Sequence, residues 1–146
     1  MKRLVFLFSA LLFTCSSDDN NNTNCNFLFD ATVNLQVNTN LPQFNQLQFP
    51  GNGVYVPNQG NSGIWLWSAT SSTLLAWDAA DPSQVPTGCS TLIDAGTGDI
   101  VETTCDDVNR YSLTTGQGLD GNTEPCTLKP YRVDNLGNGQ FLVSNN

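Results

Sequence analysis

The chain has 146 residues, with 5 Lys and Arg against 13 Asp and Glu, no histidine, and a formal net charge of −8. That length suits one domain with a real core, and its acidity repels phosphate backbones and leaves no polybasic patch for anionic lipid, which excludes nucleic-acid binding. Without an imidazole, Ser–His and Cys–His nucleophiles are excluded as well.

In chain order, residues 1–14 read as a secretory signal. Lys2-Arg3 is the charged start, and residues 4–13 are apolar except for Ser9, a run too short to span a bilayer. Removing this segment leaves three basic residues and a net charge near −10. Leu12-Phe13-Thr14-Cys15 resembles a bacterial lipoprotein cleavage box, with Thr14 where Gly, Ala or Ser is usual. The resemblance implies Cys15 as the lipidated residue and a membrane partner through that anchor. A soluble secreted protein cut nearby is the alternative. Residues 15–24 are the expected tether: after Cys15 they contain no apolar side chain and can bury nothing. An acidic Ser/Asp run directly after the lipid cysteine resembles the surface-export signal of Bacteroidota lipoproteins, which implies an outer-membrane lipoprotein exposed on the cell surface. A plain spacer is the alternative.

Residues 25–146 are the expected domain, and it reads as all-β. Val33, Leu35 and Val37 alternate with Asn34, Gln36 and Asn38, a strand with one buried face. A loop-rich crossing follows, with Leu41, Phe44, Leu47 and Phe49 available to the core. Val54-Tyr55-Val56 is a short strand stopped by Pro57 and a Gly/Asn-rich turn. Ile64-Trp65-Leu66-Trp67 and Leu74-Leu75-Ala76-Trp77 form a hairpin around residues 69–73. Residues 91–94 and 99–102 form a second hairpin, turning at Ala95-Gly96-Thr97-Gly98. Residues 110–113, 128–134 and 140–143 complete the strands. No stretch carries a helical period, so a sandwich or small barrel is expected. Trp65 and Trp67 share one strand face. Core packing is their expected role, and a sugar-binding platform is the functional alternative.

Residues 76–116 contain two loops, each with one cysteine, joined by the second hairpin. The first follows Trp77-Asp78 and runs through Asp81-Pro82-Ser83 to Cys89. The second carries Thr104-Cys105-Asp106-Asp107 and leads into Tyr111-Ser112-Leu113-Thr114-Thr115-Gly116. This pattern resembles the two cluster-binding loops of Rieske iron–sulfur proteins, whose loops carry Cys-x-His and Cys-x-x-His. Leu41-Pro42, Phe49-Pro50-Gly51-Asn52 and Val54-Tyr55-Val56 resemble the entry strands of Rieske-type lipoproteins from Bacteroidota. Leu128-Lys129-Pro130-Tyr131-Arg132-Val133 resembles their closing strand, and Glu124-Pro125-Cys126 falls where their proline-bearing loop leans over the cluster. The similarity covers roughly residues 25–143 and implies a Rieske-like sandwich or small barrel with its two loops joined by a disulfide.

It also implies which residues stand at the ligand positions. Asp81 and Ser83 take the place of the first Cys and His. Thr104, or Cys105 if the register slips by one, takes that of the second Cys, and Asp107 that of the second His. A Rieske cluster needs two thiolates on one iron and two imidazoles on the other. Carboxylates and hydroxyls suit hard ions instead. The site is therefore read as degenerate, with no metal and no cofactor. The alternative is a 2Fe-2S electron carrier with non-standard ligands.

Five cysteines less Cys15 leave an even four, which three pairings could join in an oxidising compartment. Respiratory-type Rieske proteins tie their loops with a disulfide, which implies Cys89–Cys105. Cys25–Cys126 then pairs by default. A four-thiolate metal site lacks the Cys-x-x-Cys spacing it would need. Asp78, Asp81, Glu102, Asp106 and Asp107 gather near the degenerate site as solvated loop carboxylates or, alternatively, a Ca²⁺ site. Nothing sets two of them at a glycosidase distance. The expected function is a lipid-anchored, non-enzymatic binding or structural role at the cell envelope. No residue pattern names a protein or small-molecule partner.

Overall fold

The computed structural model describes residues 25–145. The expected signal segment, Cys15 and the tether to residue 24 lie outside the described residues.

Among the described residues, nine strands form two antiparallel sheets. They are β1 (Asn34–Asn38), β2 (Gly53–Val56), β3 (Ile64–Thr70), β4 (Thr73–Asp78), β5 (Ile93–Asp94), β6 (Ile100–Glu102), β7 (Arg110–Ser112), β8 (Pro130–Gly137) and β9 (Gln140–Ser144). The larger sheet is curled, with order β1-β9-β8-β4-β3-β2, and the smaller runs β5-β6-β7. The all-β expectation holds. The crossing between β1 and β2 is more regular than expected: it contains a 3₁₀ turn, Asn45–Gln48, whose Leu47 is buried. Phe44 packs partly against the core, but Leu41 and Phe49 stay exposed. The connection joins the two edge strands of one sheet, and its outer side faces solvent.

The hydrophobic pattern explains how two cores share one sheet. Successive strand side chains point to opposite faces. Ile64 and Leu66 of β3, with Leu74 and Ala76 of β4, enter a core with Val37, Leu47, Tyr131, Phe141 and Val143. Trp65, Trp67, Leu75 and Trp77 enter a second core with Leu92, Val101, Tyr111, Leu113 and Leu128. A strand buried on both faces reads as a near-continuous apolar run, as Ile64-Trp65-Leu66-Trp67 does. The paired tryptophans are therefore core residues. Trp65 donates its indole N–H to Leu92 O at 2.9 Å, and Trp77 donates to Leu113 O at 2.8 Å. The second core is what holds the smaller sheet against the larger. Gly116 belongs to it for a steric reason. Its φ is +72°, and a Cβ there would stand 2.6 Å from the Trp77 ring.

Leu66 is fully buried and Leu136 is 59% exposed. Leu66→Ala should therefore cost about 2–5 kcal/mol in urea denaturation, and Leu136→Ala within about 0.5 kcal/mol.

Candidate functional site

Beyond β4 the chain crosses from the larger sheet to the smaller through Asp78-Ala79-Ala80-Asp81. Ala79 donates to Gly63 O and accepts from Leu92 N–H, while Asp81 donates its N–H to Ser90 O. Both alanines are fully buried, so the crossing has room for no larger side chain there. An aspartate stands at each end, and both are completely buried.

Asp78 Oδ2 accepts hydrogen bonds from Asn61 N–H and Nδ2–H, both at 2.8 Å, and from the Tyr131 hydroxyl at 2.6 Å. Its Oδ1 accepts from Ala80 N–H at 2.9 Å. Gly60 leaves room for this: its φ is +61°, and a Cβ would stand 2.6 Å from both Asp78 Oδ2 and the Tyr131 hydroxyl. Asp81 repeats the arrangement at the other end. Its Oδ1 accepts from Ser83 N–H at 2.9 Å, the Ser83 hydroxyl at 2.7 Å and the Tyr111 hydroxyl at 2.7 Å. Its Oδ2 accepts from Gln84 Nε2–H at 2.7 Å and Asn109 Nδ2–H at 2.8 Å. Each carboxylate thus holds one tyrosine hydroxyl and one asparagine amide.

These contacts set the protonation states. Burial pushes the Asp81 carboxyl up, but hydrogen bonds from Asn109, Ser83, Tyr111 and Gln84 outweigh it and hold it below the ordinary aspartate value. Burial and the adjacent Asp81 charge push the Tyr111 phenol far up, and burial and Asp78 do the same to Tyr131. Both hydroxyls are fixed as donors.

Asn109 joins three loops. It is 1% exposed. Its N–H donates to Thr103 Oγ1 within the second loop, and its Nδ2–H reaches Asp81 and Ser83 in the first. Its Oδ1 accepts from Thr123 N–H and hydroxyl in the third. The Cys89–Cys105 disulfide, with Cα atoms 4.9 Å apart, ties the first two loops covalently. Cys25–Cys126 ties the N-terminal entry to the third, with Cα atoms 5.5 Å apart. Both bridges are the expected ones.

A cleft of about 540 Å³ opens beside this network, lined by Ser83, Gln84, the Cys89–Cys105 bridge, Asp106, Asp107 and residues of the third loop. The expected ligand positions thus divide. Asp81 is enclosed beneath the cleft, Ser83 and Asp107 line it, and Cys105 is spent in the bridge. Thr104 is exposed and bonds back to Cys89 O through its N–H at 2.9 Å. The carboxylates do not gather as expected. Asp78 and Asp81 are buried acceptors, not solvated groups, and they point into separate hydrogen-bond sets. Glu102 pairs with Arg110 at 2.8 Å. Only Asp106 and Asp107 remain at the cleft surface. Among the described residues, no group of three or more Cys, Asp or Glu side chains could hold a metal ion.

No sequence motif marks Asn109, Gln84, Asn61 or the two tyrosine hydroxyls for these roles. A signal existed: two aspartates inside an apolar stretch must find donors if buried, and buried tyrosines must find acceptors. Which partner serves which aspartate depends on sheet topology.

No family model matches the chain, and no curated protein matches its sequence. Among solved structures, it is similar to the ferredoxin of carbazole 1,9a-dioxygenase from Nocardioides aromaticivorans IC177. That match has 12% identity and a TM-score of 0.48, covering 80% of this chain and 99% of that one. It is also similar to a Mycobacterium tuberculosis protein described as an NADH-dependent nitrite reductase small subunit. That match has 21% identity and a TM-score of 0.46, covering 80% of this chain and 98% of that one.

Asp81→Asn removes an acceptor oxygen and turns an amide toward buried donors, so it should cost about 3 kcal/mol in chemical denaturation. Tyr111→Phe, which deletes one of the five bonds, should cost about 1–2 kcal/mol. The folded pKa of Asp81 lies below its ordinary value of 3.8. Its contribution is therefore full above that value and lost as pH falls through the lower folded one. Denaturation midpoints across pH should show the wild type losing more stability than Asp81→Asn below about pH 4.

Proposed function

We propose that this chain is a lipid-anchored protein of the bacterial cell envelope whose Rieske-like domain has lost its cluster site and serves a non-catalytic binding or structural role. The observation that carries the reading is the state of Asp81. It takes the position of the first cluster thiolate, yet both its oxygens are consumed by five internal hydrogen bonds. A ligand to iron needs free lone pairs directed at the metal, and these are directed at protein donors.

The other donors fit a cluster no better. A Rieske centre takes two imidazoles and two thiolates, and the chain has no histidine. Cys89 and Cys105 are joined to each other, as are Cys25 and Cys126. What remains around the cleft is carboxylate, hydroxyl and amide oxygen, hard donors poorly matched to iron–sulfide. No redox step is assigned to this site. Function lives in the site and not in the fold that carries it. Here the loops, bridge and third-loop cover support a pole whose central polar groups bond to one another.

Iron and acid-labile sulfide, measured on protein purified from its native envelope, should both be far below stoichiometric. Two sulfides per chain, as a two-iron cluster requires, would restore the electron-transfer alternative. The anchor rests on Leu12-Phe13-Thr14-Cys15 and the polar segment behind it. Two or more acyl chains make anchoring stable, where one is marginal. Cys15→Ala should move the protein from the membrane fraction to the soluble one. An unprocessed band that stays with membranes would point to an uncleaved signal anchor.

A further inference from the structure

Three tryptophans belong to the second core, and their indole N–H groups are not treated alike. Trp65 and Trp77 donate to the carbonyls of Leu92 and Leu113. Trp67 is 6% exposed, yet its N–H makes no hydrogen bond among the described residues. A buried indole N–H ordinarily finds an acceptor. No fully enclosed side-chain nitrogen or oxygen among the described residues lacks a partner. The Trp67 N–H therefore faces open volume, and Trp67 lines a cavity of about 180 Å³.

The cavity lies where β2 and β3 of the larger sheet meet the β5–β6 hairpin of the smaller. Its lining grades from exposed Gln46, Asp94 and Gly98 to buried Trp67 and Val101, so it runs from solvent to the second core. Gly53 pairs with Trp67 across the strands, and a Cβ there would stand 3.2 Å from the Trp67 ring. Three oxygens on the same lining are also unused. Gln46 donates its Nε2–H to Gly53 O, and Asn52 donates its Nδ2–H to Phe49 O, both at 3.0 Å. These bonds orient the two amides, and neither Gln46 Oε1 nor Asn52 Oδ1 accepts a hydrogen bond among the described residues. Asp94 Oδ1 accepts from Gly96 N–H at 2.7 Å, while Oδ2 has no donor among the described residues.

We propose that this cavity binds one small, neutral polyhydroxy compound of monosaccharide size, with one hydroxyl oxygen accepting from the Trp67 indole N–H and another hydroxyl donating to Asp94. The donor and acceptor set selects this class. An anion would satisfy the indole but is repelled by Asp94 in a chain of net charge −8. An ammonium would satisfy Asp94 but has no lone pair for the indole. A hydroxyl both donates and accepts, so neighbouring hydroxyls on one carbon frame meet both needs. Gln46 Oε1 and Asn52 Oδ1 add two further acceptors. The volume sets the size: it equals roughly six waters at ~30 Å³ each, below the ~300 Å³ at which pockets for drug-sized ligands begin. Trp67 contributes the N–H at its ring edge and no stacking face, so its place in the core is compatible with this role. The inference goes beyond the reading of the loop cleft and uses none of its residues. Its failure would leave the iron and sulfide result untouched.

The three indole N–H resonances of the isotopically labelled full chain are followed by NMR while D-glucose, D-galactose, D-mannose or D-arabinose is added. At least one sugar should shift the Trp67 signal saturably and leave those of Trp65 and Trp77, already bonded to carbonyls, in place. Asp94→Ala, at the exposed end of β5, should weaken that sugar at least about tenfold, the loss of one hydrogen bond to a charged group. Methylammonium and acetate each satisfy one partner only and should give no saturable shift. Sequential assignment identifies the Trp67 signal without a variant, so the wild-type measurements decide if Asp94→Ala does not fold. A Trp67 signal that no sugar moves would mean that the cavity holds water only, and would overturn the proposal. So would equal binding by folded Asp94→Ala, or a saturable shift with methylammonium or acetate that matches the sugar's.

Discussion

Two aspartate side chains buried three residues apart are the constraint that the rest of the structure answers. A buried carboxylate without donors would cost several kcal/mol, and segments distant in sequence supply them. Asp78 takes donors from the turn before β3 and from β8; Asp81 takes them from its own loop and from β7 with the residue before it. Satisfying the pair ties β8 to the end of β4 and the small sheet to the first loop. The hydrogen-bond sets therefore specify how the two sheets meet, in a region where apolar packing alone tolerates rearrangement.

The same network organises the loop end of the molecule, where two loops, a disulfide and a covering third loop meet around polar atoms that bond to one another. Asn109 reaches all three loops, occupying the middle with amide donors and acceptors. The result is a pole stabilised by internal polar bonds and two disulfides.

Charge adds a second asymmetry. Arg110, Lys129 and Arg132, the basic residues of the described chain, pair with Glu102, Asp30 and Asp134. None lines the loop cleft, whose charged rim is acidic. A groove beside β1 carries no charge at all. The described surface thus carries one cleft with an acidic rim and one uncharged groove.

The amino-acid sequence by itself determined the all-β class, most strand positions and the even cysteine count, because period-two alternation and Gly/Pro/Asn punctuation are local signals. Val33, Leu35 and Val37 announce a strand whatever surrounds them. It also carried the two-loop pattern, and through that resemblance the disulfide pairing that the structure contains. Tertiary structure alone decided the fate of the polar residues. Asp78, Asp81 and Asp107 are the same side chain, and sequence spacing made all three look like solvated loop acids. Two are enclosed because the crossing between sheets runs through them, and the third is not because its loop turns outward. Phe49 and Leu47 differ in the same way, two residues apart. Burial depends on what a distant segment lays over a position, and for Asp81 those segments come from residues 109 and 111, a contact that no local pattern encodes.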